Sequence, residues 1–209
     1  MRRLIVNADD YGLTPAVSSG IRHAHQAGIV TSTTAMMNCA STAEALETAR
    51  CDCPDLGLGV HLVLSAGRPV LPPEAVACIV RLGGDGRFPQ REALLERADE
   101  LDPGEVEAEW RAQIEAFVAV VRRPPSHLDS HHHASYFTPA LFTVMLKLAS
   151  EYGCAVRMPP ATLEAASAVL RARGGLPQVA AALAALRRVL DSPQAAAIRR
   201  PDHFESRFF

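Results

Sequence analysis

Lysine is almost missing from this chain: Lys147 is the single one, leaving arginine as twenty of the 21 basic residues. The arginines are scattered and offset by 23 acidic residues, for a formal net charge of −2. Their prevalence reads as compositional bias, and the balance excludes the basic footprint of a nucleic-acid-binding surface. Aromatic residues are also scarce, at 5%, but 48% of the chain is hydrophobic, too much for disorder. Long apolar runs are absent. A membrane span needs about 20 such residues in a row, and a secretory signal about 7–15 after its basic start. The apolar run at the N-terminus stops after Val6, so no span is expected and a cytoplasmic location is. The five cysteines are odd in number, and Cys51 and Cys53 form a CxC rather than the CxxC of structural zinc sites. Reduced thiols are expected. The length of 209 residues suits one domain, although a closed (β/α)8 barrel takes about 250.

What is present is alternation. Short β-rich segments at 4–9, 31–38, 56–64, 126–130 and 154–158 are separated by helical patterns. Thr14-Pro15, Asp102-Pro103 and Thr138-Pro139 are N-cap and first-turn pairs, and Ser41 with Glu44 spells a capping box. The pattern predicts stops at Gly28 and Gly153. Val106, Trp110, Ile114, Phe117 and Val121 mark the most regular apolar helix face. Residues 65–90 read as an irregular Gly- and Pro-rich excursion. Two further helices are expected near 161–173 and 177–190, with a sixth strand starting within 199–209. Strand–helix alternation predicts an α/β fold with a parallel sheet or barrel, as a single domain over 1–209.

In such folds chemistry collects beyond the C-terminal strand ends. The unusual polar residues fall there: Asn7, Asp9 and Asp10 after the first strand, Asn38 after the second, His61 late in the third, and His127 through His133 in and after the fourth. Alternation along a strand turns Leu58, Val60, Leu62 and Leu64 one way. It turns His61 the other way beside Gly57 and Gly59, a face with room for a non-protein group. His127, Asp129 and His131 share a face, to which continued alternation would add His133. Each feature has an ordinary use: a core histidine, a solvated histidine loop, or a turn and cap at Asp9-Asp10. Their convergence from three strands points instead to a divalent cation, whose usual ligands are imidazole and carboxylate. One of two adjacent aspartates can ligate while the other accepts a proton from an activated water, which suits hydrolysis of an amide or ester. A phosphoesterase or another amidohydrolase could use a similar cluster, but no Gly-rich anion loop is present to cradle phosphate.

The stretches NADDYG at 7–12, GIVTSTTAMMN at 28–38, GVHLVL at 59–64 and HLDSHHH at 127–133 resemble the YdjC-like carbohydrate deacetylases, chitooligosaccharide deacetylases among them. GRPVLPP at 67–73, DGRF at 85–88 and EWRAQIEAF at 109–117 extend the likeness, the first resembling a hopanoid-biosynthesis branch. The resemblance runs from residue 3 to about 158, with PDHF at 201–204 beyond it. It implies a distorted, incomplete (β/α) TIM-like barrel that removes N-acetyl groups from acetamido sugars, whether oligosaccharide or glycolipid. It also implies Asp10, His61 and His131 as metal ligands, Asp9 as general base, and Asp129 and His133 supporting the ligands from behind. Tyr11, Asn38 and Arg157 are implied around the sugar. The family is usually described with magnesium, whereas two imidazoles and a carboxylate suit zinc. Family members continue with further strands and a histidine in an HP dipeptide, assigned to protonate the leaving amine. No HP dipeptide occurs in this chain. The resemblance therefore implies a C-terminally short chain, and a member that binds metal or sugar without turnover is the non-enzyme alternative. A homo-oligomer is left open.

Overall fold

The computed structural model describes residues 3–157 and 184–203. Five parallel strands pair in chain order: β1 (Asn7–Tyr11), β2 (Ser32–Ala35), β3 (Gly57–Leu62), β4 (His127–Ser130) and β5 (Ala155–Val156). The helices between them are α1 (Pro15–Gln26), α2 (Thr42–Asp52), α3 (Ala77–Gly83), α4 (Arg91–Arg97), α5 (Pro103–Val121) and α6 (Pro139–Tyr152). Each strand lies beside its predecessor, so right-handed crossovers keep the connecting helices on one side of the sheet. Accordingly α1 packs on α2, α2 on α5 and α5 on α6 in one layer. This is the winding of a (β/α) barrel, open between β1 and β5 among the described residues. None of the described helices is long and apolar enough to cross a membrane.

The expected caps form where proline follows. Thr14, Asp102 and Thr138 each accept a backbone N–H in the first turn of α1, α5 and α6. Gly153 closes α6 in the left-handed conformation. The capping box at Ser41 does not form: Ser41 is itself helical and donates its hydroxyl to the Gly12 carbonyl at 2.6 Å. The excursion at 65–90 is more ordered than its composition predicts, holding a 3-10 turn (Pro73–Val76) and α3. The first strand starts later than expected, leaving Leu4 and Ile5 exposed. Residues 184–190 are helical, as expected for the end of the 177–190 segment, and 199–203 form no strand. The helix expected at 161–173 lies outside the described residues.

Val106, Trp110, Ile114, Phe117 and Val121 form a buried seam of α5, as their spacing predicts. Two polar residues, Glu109 and Gln113, are as fully buried. Glu109 accepts the N–H groups of Val70 and Leu71 at 2.9 and 3.0 Å. Gln113 bonds both the N–H and the carbonyl of Val63 and donates to Glu109. Burial pushes the Glu109 carboxyl up. Together they fasten the end of β3 and the loop after it to α5, which accounts for two positions of the 109–117 motif.

β1 contains an irregularity with consequences for the site. Its register against β2 shifts between Ala8 and Tyr11, and Asp10 takes φ +64°. Left-handed backbone at a non-glycine residue costs about 1–2 kcal/mol. Two results are expected. Asp10→Gly should be more stable than Asp10→Ala by about 1 kcal/mol in urea unfolding without metal, since both remove the carboxylate and only glycine relieves the backbone. Glu109→Ala should lower the unfolding free energy by about 2–4 kcal/mol, because two partly buried N–H groups and the buried Gln113 amide lose their acceptor. Glu109→Gln should lose less.

Candidate functional site

The strand ends bring the predicted residues together. In the β3–β4 register His61 stands opposite Asp129, on the face away from the helices. Asp129 is 2% exposed, and its Oδ1 accepts the Nδ1–H of His61 at 2.6 Å. The other ring nitrogen is thereby turned toward Asp10 and His131. Asp10 Oδ1, His61 Nε2 and His131 Nδ1 form a nearly equilateral triangle with sides of 3.1, 3.3 and 3.3 Å. Ligands about 2.0–2.2 Å from one cation, at octahedral or tetrahedral angles, stand roughly 2.8–3.6 Å apart. The donor set thus fits a divalent ion in both number and spacing. Two imidazoles and one carboxylate suit zinc or a similar transition metal more than the all-oxygen shell of magnesium.

Adjacent residues on a regular strand face opposite ways, yet Asp9 and Asp10 both reach the site. The register shift and the left-handed Asp10 allow it. Asp9 lies to one side of the triangle, accepting from Asn7 Nδ2 at 2.8 Å and from both terminal nitrogens of Arg157. The same guanidinium pairs with Asp129.

The electrostatics follow from three converging carboxylates. Burial opposes charge on Asp10, but hydrogen bonds from His131 and His61 outweigh it and hold the carboxyl well below the usual carboxylate range. Burial likewise opposes charge on Asp129, and Arg157 and His61 overcome it. For His61 burial pushes downward, and Asp129 and Asp10 reverse this to about 10. The pocket strongly favours positive charge.

The other expected residues take different places from those the sequence suggests. Tyr11 is wholly buried, its hydroxyl donating to the Ala45 carbonyl at 2.7 Å and accepting from Arg22 at 2.9 Å. It therefore braces α1 and α2 instead of lining a sugar site. Asn38 clasps the loop after β3, its amide donating to the carbonyls of Ala66 and Arg68, both at 3.1 Å. His133 is exposed at the edge of the site, where His132 and His133 both take positive φ (+53° and +59°); burial and the nearby Arg157 push its imidazole down. It does not support the ligands from behind. Arg157 is 8% exposed and engaged with carboxylates. The space expected beside Gly59 is filled by protein, since a Cβ there would meet the His127 ring at 2.7 Å and its carbonyl oxygen at 2.6 Å.

Sequence reasoning missed three supports. Thr34 Oγ1 donates to Asp129 Oδ2 at 3.1 Å, and Asn7 links Thr34, Asp9 and Ser32. His132 stacks on His131 with ring centroids 3.8 Å apart and contacts Ser65 Oγ at 3.0 Å through Nδ1. Thr34 lies in a run that reads only as β-propensity, although its position one residue before the end of β2 offered a signal.

Comparison with known proteins agrees with this architecture. A family model described as YdjC-like protein matches residues 3–208. A carbohydrate deacetylase of Enterococcus faecalis is 41% identical over 165 residues, 78% of this chain and 61% of that protein. A chitooligosaccharide deacetylase of Salmonella paratyphi B is 38% identical over 162 residues, with the same shares covered. A crystal structure from Enterococcus faecalis, described as a candidate cellobiose-phosphate cleavage protein, superposes with a TM-score of 0.76 at 33% identity. That alignment covers 98% of this chain and 68% of the other. The chain spans about three-fifths of the length of these curated relatives. By sequence and by fold, it belongs to the YdjC-like family.

Proposed function

We propose that this chain, as one domain over 1–209, is a divalent-metal-dependent hydrolase that removes the N-acetyl group of an acetamido sugar. The observation that carries the reading is the Asp10–His61–His131 triangle with Asp9 held beside it but outside it. The names of the relatives, carbohydrate deacetylase and chitooligosaccharide deacetylase, supply the substrate class.

Asp10, His61 and His131 would hold the ion, which supplies Lewis-acid polarisation of the amide carbonyl and eases deprotonation of water. The protein's own groups do the rest. Asp129 takes the Nδ1 proton of His61 in a hydrogen bond, so that Nε2 offers its lone pair to the ion. Thr34 holds Asp129 from its other oxygen. Asp9 is the general base that accepts the proton of the attacking water. Two bonds from Arg157 and one from Asn7 fix its carboxylate in place, and such fixed placement is what makes a positioned base effective.

The test is paired. His131→Ala should lose the bound ion, measured by elemental analysis after dialysis. Asp9→Asn should keep the ion while acetate release from N-acetylglucosamine oligomers falls by about 10²–10⁴. Equal metal content in wild type and His131→Ala would overturn the ligand assignment. Full acetate release by Asp9→Asn would overturn the base.

A further inference from the structure

Two groups of donor atoms converge on His61, one at each ring nitrogen. Asp10 and His131 face Nε2, while Asp129 lies on Nδ1 with Asp9 close by. Ligand atoms of Asp9, His61 and Asp129 all lie within 4.8 Å of one another, as do those of the first group. By composition the second group, two carboxylates and an imidazole nitrogen, is itself a divalent-cation site. A cation already stands in it: the Arg157 guanidinium donates to both Asp9 oxygens and pairs with Asp129 Oδ2.

The placement is built into the backbone. The Arg157 N–H donates to the Leu128 carbonyl at 3.0 Å, and its own carbonyl accepts from the Tyr136 hydroxyl. The charges balance as well. Asp9, Asp10 and Asp129 bring three negative charges, and one divalent ion with one guanidinium bring three positive ones. A guanidinium stays protonated at any working pH, and a chelator cannot remove it.

We propose that Arg157 is a positioning residue that occupies a second metal position, limiting the centre to one exchangeable ion and keeping Asp9 off that ion. The proposal rests on the reading that Asp10, His61 and His131 hold a divalent ion. Without Arg157, the carboxylates of Asp9 and Asp129 lose their cation, and a second ion takes its place. Asp9, Asp129 and His61 would hold that second ion, with the Nδ1 proton of His61 passing to solvent as it binds.

The probe is Co(II) alone, added to the metal-free full chain, with stoichiometry from equilibrium dialysis and elemental analysis. Wild type should saturate at about one ion per chain even in large excess, a result that needs no variant to fold. Arg157→Ala and Arg157→Met should each bind about two, while Arg157→Lys, which keeps a cation, should bind about one. Arg157→Ala combined with Asp129→Asn should return to about one. In the two-ion variants the Co(II) paramagnetic resonance signal should fall below that of two isolated ions, because the two donor groups share His61 and would hold the ions close together. Wild type binding two, or folded Arg157→Ala and Arg157→Met binding one, would overturn the proposal while leaving the proposed function intact. Wild type binding none would overturn the ligand reading on which both depend.

Discussion

Three carboxylates meet around one buried imidazole, and no arrangement of the surrounding strands is tolerable unless positive charge meets them. Asp129 is the innermost, and an isolated carboxylate at that depth would cost several kcal/mol. It is compensated from two directions, by the Nδ1–H of His61 and by the Arg157 guanidinium. These contacts join β3, β4 and the residue just after β5, so the polar centre also ties strands together. The same charge that endangers the fold makes the cation site selective for a positive occupant.

Much of this was legible in the sequence, for identifiable reasons. Proline-backed caps and the apolar seam of α5 are local signals, and they located α1, α5 and α6 because no tertiary contact competes with them. Strand alternation and strand-end position pointed to a cation among polar residues of three strands, and the resemblance singled out Asp10, His61 and His131 among them. Ser41 shows where this ends. Its capping-box pattern is sound locally, but the Gly12 carbonyl of a neighbouring loop takes the hydroxyl instead.

Backbone exceptions and long-range partners were not legible. Alternation would separate Asp9 from Asp10, and only the left-handed Asp10 and the register shift bring them together. Two consecutive left-handed histidines carry His133 out to solvent by the same kind of local departure. Tyr11 follows Asp10 directly and Asn38 lies just past β2, yet their side chains serve α2 and the loop after β3. Arg157 lies 148 residues from Asp9, a separation across which no sequence pattern reports a contact.

The strain and the packing are arranged around one strand pair. A one-residue slip of β3 against β4 would send His61 and Asp129 to opposite faces, so this register must be secured. Gly59 secures it in one sense, because only a glycine there lets the His127 carbonyl and ring approach β3 so closely. Gln113 secures it in another, gripping both polar groups of the Val63 backbone one residue past the strand. The left-handed residues Asp10, His132 and His133 lie at the strand ends, outside this pair. The fold thus keeps its regular hydrogen bonding where register matters and places its irregular backbone where ligand direction matters. That division lets a rigid sheet present side chains from β1, β3 and the turn after β4 to a single point.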